Sequence, residues 1–464
     1  MAPKFDDTKA PEHVDALPRP INAQSDDESS SLGKGDILGA EHVDLVLNAK
    51  MHLVNNAIDE IGFTGYHWKL FVLNGFGYAV DSLLLLAQGN IASYAAKEFQ
   101  PSFPKGLTIA VYVGMLVGAL FWGFSADVIG RKFAFNFSLM ISSVFAIVAG
   151  ASPNWTVLGL FICLSAFGSG GNLVLDTAVF LEYLPSQSQW MITALAAWWG
   201  VGQLVAGLFS WAFLPNYSCA TAATCTRANN MGWRYVWFAD GALVLVMSLA
   251  RIFFSPMEII VHCRGLFATK RMGLSTSLIW FSWLLIGLAY PLYNVFLPTY
   301  LATRGAEFGE QSQSVYWRNY AIANLCSIPS PILAGYMCRS KFFWGRRGTM
   351  IIGALITMTF FFAYTQVRNN AQNLAFTCCI SFCLNIYYAT LYAYTPEVLP
   401  SAHRGTGNGI AIALNRVMGI ISAVVATYAN TSTPVPIYIC AALYIIMASV
   451  AALFPFEPMG KRSS

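Results

Sequence analysis

Residues 123–132 read GFSADVIGRK, a short charged segment between two long apolar runs. Its spacing, G-x-x-x-D-x-x-G-R-K, combines glycines with an acid and two adjacent bases where a chain leaving one membrane helix must turn and begin another. Charged side chains are costly in lipid, so the segment predicts a tight loop where two membrane-spanning helices meet water. Any short cytoplasmic loop could be basic and contain glycine, but the fixed spacing argues against that simpler interpretation.

Each fixed position of this loop has a physical role, and we assign all five positions to gating. Gly123 allows two helices to approach closely, and Gly130 permits the turn. Asp127 can cap the positive end of the following helix. Arg131 and Lys132 hold the loop on the cytoplasmic side of the membrane.

The chain also contains an internal repeat. Residues 345–347 read GRR and echo GRK at 130–132, while residues 397–400 read EVLP and echo EYLP at 182–185. Both matches share one offset, because 345 lies 215 residues after 130 and 397 lies 215 residues after 182. Two unrelated matches at one offset indicate a duplicated half. The second copy lacks the aspartate, which leaves its capping role in doubt.

Loop and repeat together resemble the signature of the major facilitator superfamily, a large group of secondary transporters. The resemblance implies two parallel six-helix repeats with the substrate site between them. The sequence itself contains about twelve apolar runs long enough to span a membrane, each needing ~20 residues. We therefore expect an all-α membrane protein with the major facilitator fold.

The composition points the same way. Of the 464 residues, 56% are hydrophobic and 11% are charged, whereas soluble proteins carry about 25% charged residues. The net charge of +4 is small and the basic residues sit at predicted helix ends, so we expect a lipid bilayer around the protein and no nucleic-acid partner. Nucleotide-binding, zinc and nucleophile motifs are absent from the sequence. We expect no enzyme activity, no cofactor, no metal site and a monomer.

The apolar runs divide the chain into six parts. They are a disordered cytoplasmic tail at 1–42, an amphipathic helix leading into the first span at 43–69, an N-terminal six-helix half at 70–254, a short cytoplasmic linker at 255–273, a C-terminal six-helix half at 274–455 and a cytoplasmic tail at 456–464. The amphipathic helix either lies on the membrane surface or packs against the bundle. Pro291 and Pro298 predict a break in the seventh span. The linker is shorter than in sugar porters, either naturally or through an error in the gene prediction.

Loop charges predict the orientation. Lysine and arginine are more frequent in the loops on the side of the N-terminus, which places both termini in the cytoplasm, with the plasma membrane as the expected location. The sequons at Asn154, Asn216 and Asn430 then all lie outside, and Asn216 is the predicted glycosylation site. Cys219 and Cys225 share that outer loop, and a disulfide between them is expected there.

Ionisable side chains inside predicted spans are functional hypotheses, because a charge in lipid is costly. Asp81 lies about halfway along the first span, with Asn74 on the same helical face. Asp81 could carry a proton, or it could only make a structural hydrogen bond to a neighbouring helix. Arg416 lies deep in the eleventh span, and its fork suits a carboxylate or phosphate of the substrate. An internal partner, Asp81 or Glu397, is the alternative for Arg416.

The fourth span contains a second candidate for proton coupling, Asp176, and ends near Glu182. Glu182 lies within reach of the basic loop, and its repeat mate Glu397 could pair with Arg346 or Arg347. Such pairs would hold the cytoplasmic side closed, unless they are fixed structural salt bridges. The residues assigned to this gate, besides the loop positions above, are Glu182, Arg346, Arg347, Glu397 and Arg404.

Amide side chains complete the predicted substrate site. Gln203 in the fifth span, Asn294 in the seventh and Asn385 in the tenth join Asn74, Asp81 and Arg416 as substrate-binding candidates. Aromatic walls with a few amides suit a small polar organic ligand. The aromatic residues near these amides are Trp198, Trp199, Tyr290, Tyr293, Tyr387 and Tyr388.

Three further segments resemble one branch of the superfamily. Residues 59–68 (DEIGFTGYHW), 170–176 (GGNLVLD) and 396–407 (PEVLPSAHRGTG) are similar to fungal transporters related to synaptic vesicle glycoprotein two and to bacterial niacin transporters. This resemblance implies alternating-access, proton-coupled movement of a small polar or anionic organic solute. Efflux of a fungal secondary metabolite fits the same residues. A membrane receptor or sensor that binds without transporting is the alternative from another class.

Overall fold

The computed structural model describes residues 45–128, 131–254, 270–303, 312–367, 369–400, 404–428 and 435–458. Twelve helical segments within these ranges are long and apolar enough to cross a membrane, which confirms the predicted all-α class and number of spans. The predicted tail at 1–42, residues 255–269 of the linker and residues 459–464 of the second tail lie outside the described residues.

We number the spans 1 to 12 in chain order, and the membrane face at which span 1 begins is called the N-terminal face. Spans 1 to 6 are built from the helices Gly65–Phe99, Gly106–Val128, Arg131–Gly150, Trp155–Gly170 with Asn172–Tyr183, Trp190–Leu195 with Ala197–Tyr217, and Gly232–Phe254. Spans 7 to 12 are built from Lys270–Thr303, Gln313–Ser327 with Pro329–Arg339, Gly345–Tyr364, Asn370–Val398, Arg404–Tyr428 and Val435–Ala452. Span 1 begins at Gly65 and not at the predicted Leu70.

Prolines interrupt one span and leave another continuous. Span 8 changes helix at Ile328, and Pro329 occupies the first turn of its second helix, where a missing N–H costs nothing. The predicted break of span 7 at Pro291 and Pro298 is wrong, because Lys270–Thr303 is one helix. A membrane helix tolerates proline where neighbouring helices and side chains satisfy the freed backbone groups.

A separate helix, α1 (Leu45–Ile61), precedes span 1. It ends at Gly62, whose φ of +68° is the left-handed conformation in which glycine commonly ends a helix. The carboxylate of Asp59 accepts two hydrogen bonds of 2.7 Å from the backbone N–H and the hydroxyl group of Ser186. The helix therefore contacts the bundle at one end, and it exposes the apolar side chains of Leu53, Val54 and Ile61. Both predicted placements of α1 are compatible with this arrangement.

Spans 2 and 4 pack with their backbones in contact. A Cβ added to Gly118 would lie 2.2 Å from the carbonyl oxygen of Phe167, and one added to Gly170 would lie 2.4 Å from that of Met115. These distances leave no room for a methyl group. Small residues allow membrane helices to approach this closely, since lipid provides no hydrophobic force between them.

The two halves meet along two seams towards the N-terminal face. Spans 2 and 11 cross at Gly123, where an added Cβ would lie 3.1 Å from the carbonyl oxygen of Gly405 and 3.2 Å from the Cα of Gly409. Spans 5 and 8 touch at Gly335, where an added Cβ would lie 3.0 Å from the carbonyl oxygen of Trp190. Gly123 thus lies at the contact between the halves.

The halves also touch towards the opposite face. There the indole N–H of Trp211 in span 5 donates a hydrogen bond of 3.0 Å to the hydroxyl group of Ser314 in span 8. Because contacts occur towards both faces, the side chains between the two levels are shielded from water. This central region holds the candidate site.

Gly118→Ala tests the contact between spans 2 and 4. Its methyl group would lie 2.2 Å from a backbone oxygen, and overpacking of this kind costs about 1–3 kcal/mol. We expect the Tm of the detergent-solubilised protein to fall by about 1–3 °C. Gly89→Ala in span 1 is the matched control, because nothing lies within 4 Å of its added Cβ. Equal Tm losses in the two variants would contradict the packing explanation.

Candidate functional site

A buried ion pair joins the two halves of the protein. The guanidinium Nη2 of Arg416, in span 11, donates to both carboxylate oxygens of Asp81, in span 1, at 2.7 and 2.9 Å. Asp81 is 0% exposed and Arg416 is 3% exposed. Of the partners that the sequence left open for Arg416, the structure shows Asp81 and not Glu397. The indole N–H of Trp199 also donates to Asp81, at 3.3 Å.

Aromatic rings surround this ion pair. Trp199 packs against Tyr290 and Tyr388 with ring centroids 5.5 Å apart in both cases, and the two tyrosine rings are 5.6 Å apart. Tyr392 lies one helical turn beyond Tyr388 and contacts Tyr78 at 5.7 Å. These five rings come from spans 1, 5, 7 and 10. They form one wall of the central region, which we call the aromatic wall.

Two rings of the aromatic wall, Tyr78 and Tyr392, were not expected from the sequence. Both could have been found from helical spacing, since Tyr78 lies three residues before Asp81 and Tyr392 lies four residues after Tyr388. Residues three or four apart on a helix share a face. The predicted Trp199, Tyr290 and Tyr388 do reach the ion-pair region.

The predicted amides behave differently from one another. The side-chain amide of Gln203 donates to the hydroxyl group of Tyr290 at 2.9 Å, which connects it to the aromatic wall. Asn74 and Asn385 instead donate to the carbonyl oxygens four residues earlier in their own helices, both at 2.8 Å. The side chain of Asn294 lies outside the described residues. Substrate contact by Asn74, Asn294 and Asn385 remains a prediction.

A second buried ion pair holds the N-terminal half together. Arg251 in span 6 donates to Asp176 in span 4 at 2.7 Å, and both side chains are fully buried. The same guanidinium donates to the carbonyl oxygens of Leu73 at 3.0 Å and Phe135 at 3.1 Å. A single arginine therefore fastens spans 1, 3, 4 and 6. Gly77 makes room for this cluster, since its added Cβ would lie 1.7 Å from Oδ2 of Asp176.

Arg251 is a buried charged residue of this region that was not expected from the sequence. It lies inside the predicted sixth span, only three residues before the end of that span at Phe254. A basic residue at this position usually indicates the end of a membrane helix. The same rule that singled out Arg416 applies to it, since an arginine inside a span needs a buried partner. Asp176, the second candidate for proton coupling, is paired with this arginine, and its role in coupling stays a prediction.

The second copy of the motif contacts both halves. Arg346 forms a buried ion pair with Glu397, and both belong to the C-terminal half. Its Nη1 also donates to the hydroxyl group of Thr193 at 2.9 Å, and its Nη2 donates to the carbonyl oxygen of Gln189 at 3.2 Å. Thr193 and Gln189 belong to the N-terminal half. This arginine therefore ties the halves together at the N-terminal face.

The neighbouring Arg347 has a different role from Arg346. Its side chain donates to the carbonyl oxygen of Ala452 at 2.6 Å. The backbone N–H groups of Arg346 and Arg347 donate to the two carboxylate oxygens of Glu457, at 3.0 and 3.1 Å. Gly345, with φ of +66°, lies against the same carboxylate, because an added Cβ would be 2.6 Å from it. Glu457 thus supplies the acid at the start of span 9 that the second motif lacks.

Other predicted gating residues are described only in part. The side chain of Arg404 donates to the carbonyl oxygen of Pro396 at 2.7 Å, within the C-terminal half. The predicted pair of Glu182 with the basic loop stays a prediction, because the loop side chains are not described. Gly130 and the side chains of Asp127, Arg131 and Lys132 lie outside the described residues.

Two of the predicted modification sites lie at the end of span 5 and in the loop that follows it. In the loop, the sulfur atoms of Cys219 and Cys225 are bonded to each other, with their Cα atoms 5.4 Å apart. Asn216, expected on this loop, is instead exposed in the last turn of span 5, just before the loop.

Comparison with known proteins gives a consistent family. The chain is 38% identical to MFS siderochrome iron transporter 1 of Ceriporiopsis subvermispora, over 91% of this chain and 93% of that protein. It is 27% identical to the niacin transporter NiaP of Acinetobacter baylyi, over 82% and 90%. It is 24% identical to the synaptic vesicle 2-related protein of Rattus norvegicus, over 95% and 90%.

A solved structure and a family model agree with these relatives. The fold is similar to that of the proton:xylose symporter XylE bound to 6-bromo-6-deoxy-D-glucose, with a TM-score of 0.64, 14% identity, and coverage of 86% of this chain and 97% of that one. The model of the Major Facilitator Superfamily matches residues 70–423. The resemblance inferred from the sequence and the expectation of a transporter, not an enzyme, are confirmed. The chain belongs to the Major Facilitator Superfamily.

Proposed function

We propose that this transporter moves a small anionic organic solute together with protons, and that the Asp81–Arg416 ion pair couples the two. The observation that carries the proposal is the position of the pair, because its acid belongs to one half and its base to the other. Alternating access moves the halves relative to each other around a central site. During every cycle, a buried ion pair that joins the halves must therefore either exchange its partners or stay intact.

The chemistry of the pair suits an exchange of partners. A proton on Asp81 would remove its negative charge and weaken its hold on Arg416. The freed guanidinium could then bind a carboxylate of the solute, and its planar fork favours such a group. Its Nε already lacks a hydrogen-bond partner among the described residues. Release of the solute and of the proton would restore the pair.

The aromatic wall supports a planar organic acid as the solute. Trp199, Tyr290 and Tyr388 present three rings within 5.6 Å of one another beside the arginine. Rings of this kind stack on a planar ligand, while the arginine binds its charge. The NiaP relative is a niacin transporter, and niacin combines an aromatic ring with a carboxylate. The siderochrome iron transporter is the more similar relative, so ferric siderochromes belong in the same uptake screen.

Asp81→Asn tests proton coupling. Asparagine cannot take up and release a proton, so we expect gradient-driven accumulation of the transported acid in proteoliposomes to fall at least tenfold. Exchange of labelled for unlabelled solute, which needs no net proton movement, should continue. Asp81→Glu, which restores an ionisable group, should recover part of the accumulation.

The matched control for this variant is Glu60→Gln, which removes an exposed acid from α1. It should leave both accumulation and exchange unchanged. Uphill uptake by Asp81→Asn at the normal level would rule out Asp81 as the coupling residue. Loss of both accumulation and exchange in Asp81→Asn and Asp81→Glu alike would assign the pair to folding.

We also propose that Arg346 closes the N-terminal face through its contact with Thr193. Thr193→Val removes one hydrogen bond between the halves and leaves the ion pair with Glu397 intact. A hydrogen bond to a charged group contributes about 1.5–3 kcal/mol, so the population open at this face should rise by at least about tenfold. Cys338, buried beside this contact, should then react faster with N-ethylmaleimide, as measured by mass spectrometry.

Thr357→Val is the control for Thr193→Val. Thr357 is equally buried, but its hydroxyl group donates to the carbonyl oxygen of Gly353 in its own helix. Labelling of Cys338 should be unchanged in this variant. An unchanged rate in Thr193→Val would show that the contact does not control closure.

We also propose the membrane orientation that the loop charges predict. A disulfide persists on the oxidising side of a membrane, and the bonded Cys219 and Cys225 follow the exposed Asn216 at the same end of span 5. The N-terminal face would then be cytoplasmic.

Asn216→Gln tests this orientation. In a eukaryotic host we expect the wild-type protein to show a glycosidase-sensitive mobility shift that this variant loses. Asn154→Gln should keep the shift, because the Asn154 side chain already caps the first helix of span 4 by accepting from Val157 N–H at 2.9 Å. A wild-type protein with no shift would remove the glycosylation prediction, and with it this support for the orientation.

A further inference from the structure

A cavity of about 210 Å³ lies between the two halves at the N-terminal face. The first half contributes Ser186, Gln187, Gln189 and Trp190, and the second contributes Cys338, Arg339 and Arg346. A single water occupies ~30 Å³ in the liquid, and drug-sized ligands fill ~300–1,000 Å³. The cavity therefore has the size for a small ligand or one chemical group.

The charge of the cavity wall is not fully balanced. Arg346 is neutralised by Glu397. Arg339, at the end of span 8, is exposed and has no ion pair or hydrogen bond with the described residues. None of the seven lining residues is acidic, and the acids that contact lining residues are Glu397 on Arg346 and Asp59 on Ser186. Among the described residues, the positive charge of Arg339 is left without a partner.

Several polar side chains of the wall make no hydrogen bond with the described residues, and each has N–H groups that can donate. In the described part of the chain, the side-chain amides of Gln187 and Gln189 make no hydrogen bond, so two amides and one guanidinium can donate to a ligand. A phosphate group has several acceptor oxygens and carries negative charge, and it matches an arginine with neighbouring donors. We propose that this cavity binds a phosphate group and that the bound group holds the N-terminal face closed.

The effect on the transport cycle follows from where the lining residues lie. A ligand that contacts Gln187 of one half and Arg339 of the other bridges the halves beside the Arg346–Thr193 contact. It binds the conformation in which these residues are close and loses part of its site when the halves separate. A ligand that binds one state better shifts the population to that state. Phosphate at this face should therefore slow transport, a consequence that rests on the proposed transport cycle.

Binding can be tested without measuring transport. The full-length protein in detergent is titrated with inorganic phosphate, with chloride at matched ionic strength as the comparison, and its Tm is recorded. We expect phosphate to raise Tm by about 1–3 °C and to slow labelling of Cys338 at least threefold. Both effects should be lost in Arg339→Gln, which removes an exposed side chain without a partner and should fold normally.

Arg318→Gln is the matched control. Arg318 is also exposed and has no partner among the described residues, but it lies towards the opposite face. This variant should keep the full response to phosphate. The same response in Arg339→Gln as in the wild type, or no response to any source of phosphate, would overturn the proposal.

A second experiment distinguishes a lipid headgroup from a soluble anion as the source of the phosphate group. The same proteins are reconstituted in nanodiscs of phosphatidylcholine alone or with phosphatidic acid. Stabilisation by phosphatidic acid that depends on Arg339, without an effect of inorganic phosphate, assigns the cavity to a lipid headgroup. Stabilisation by inorganic phosphate assigns it to a soluble anion. Slower transport without any Arg339-dependent binding would contradict the site, whereas binding without an effect on transport would contradict only the proposed cycle.

Discussion

The buried ion pair between Asp81 and Arg416 constrains how the two halves of this protein can move relative to each other. An arginine inside a membrane protein is stable only with a partner, and removing one member of a buried pair costs about 3–5 kcal/mol. Here the partner belongs to the other half of the molecule. In the proposed cycle, the halves separate at this level when Arg416 binds another anion or Asp81 takes up a proton. Under that proposal the electrostatics of one pair links solute, proton and conformation.

The other buried pairs show which parts of the structure are fixed. Arg251 and Asp176 lie in the same half, and the arginine also binds two backbone carbonyl groups there. Nothing in this cluster depends on the position of the other half. Arg346 combines both kinds of contact, because its acid is in its own half and its hydrogen-bond acceptor Thr193 is in the other. Movement can therefore break the hydrogen bond from the guanidinium to the neutral hydroxyl group of Thr193 and leave the ion pair with Glu397 intact, which makes this contact suitable for opening and closing.

Much of the fold followed from the sequence because apolar length and loop charge are properties of short segments. Which side chains pair between distant helices, in contrast, is not a property of any short segment. The repeat led to the pairing of Arg346 with Glu397, since both members belong to recognisable motifs. Asp81 and Arg416 lie 335 residues apart, and the sequence could only offer each as a candidate. Asn74 was placed correctly on the face of Asp81, but an amide can bond to its own helix backbone, as it does here, so a shared face did not imply a shared site.

Glu457 shows how a duplicated motif can lack its acidic residue while a carboxylate from another part of the chain still accepts the N–H groups at the helix start. A helix N-terminus carries partial positive charge and unpaired N–H groups, which favour a nearby carboxylate. The first motif contains Asp127, which is predicted to serve this purpose, whereas the second begins span 9 with no acid of its own. The carboxylate of Glu457, after span 12, accepts the N–H groups of Arg346 and Arg347 instead. The chain after span 12 is thereby hydrogen-bonded to Arg346, the residue that joins the halves. A change in the position of Glu457 would therefore affect the position of Arg346.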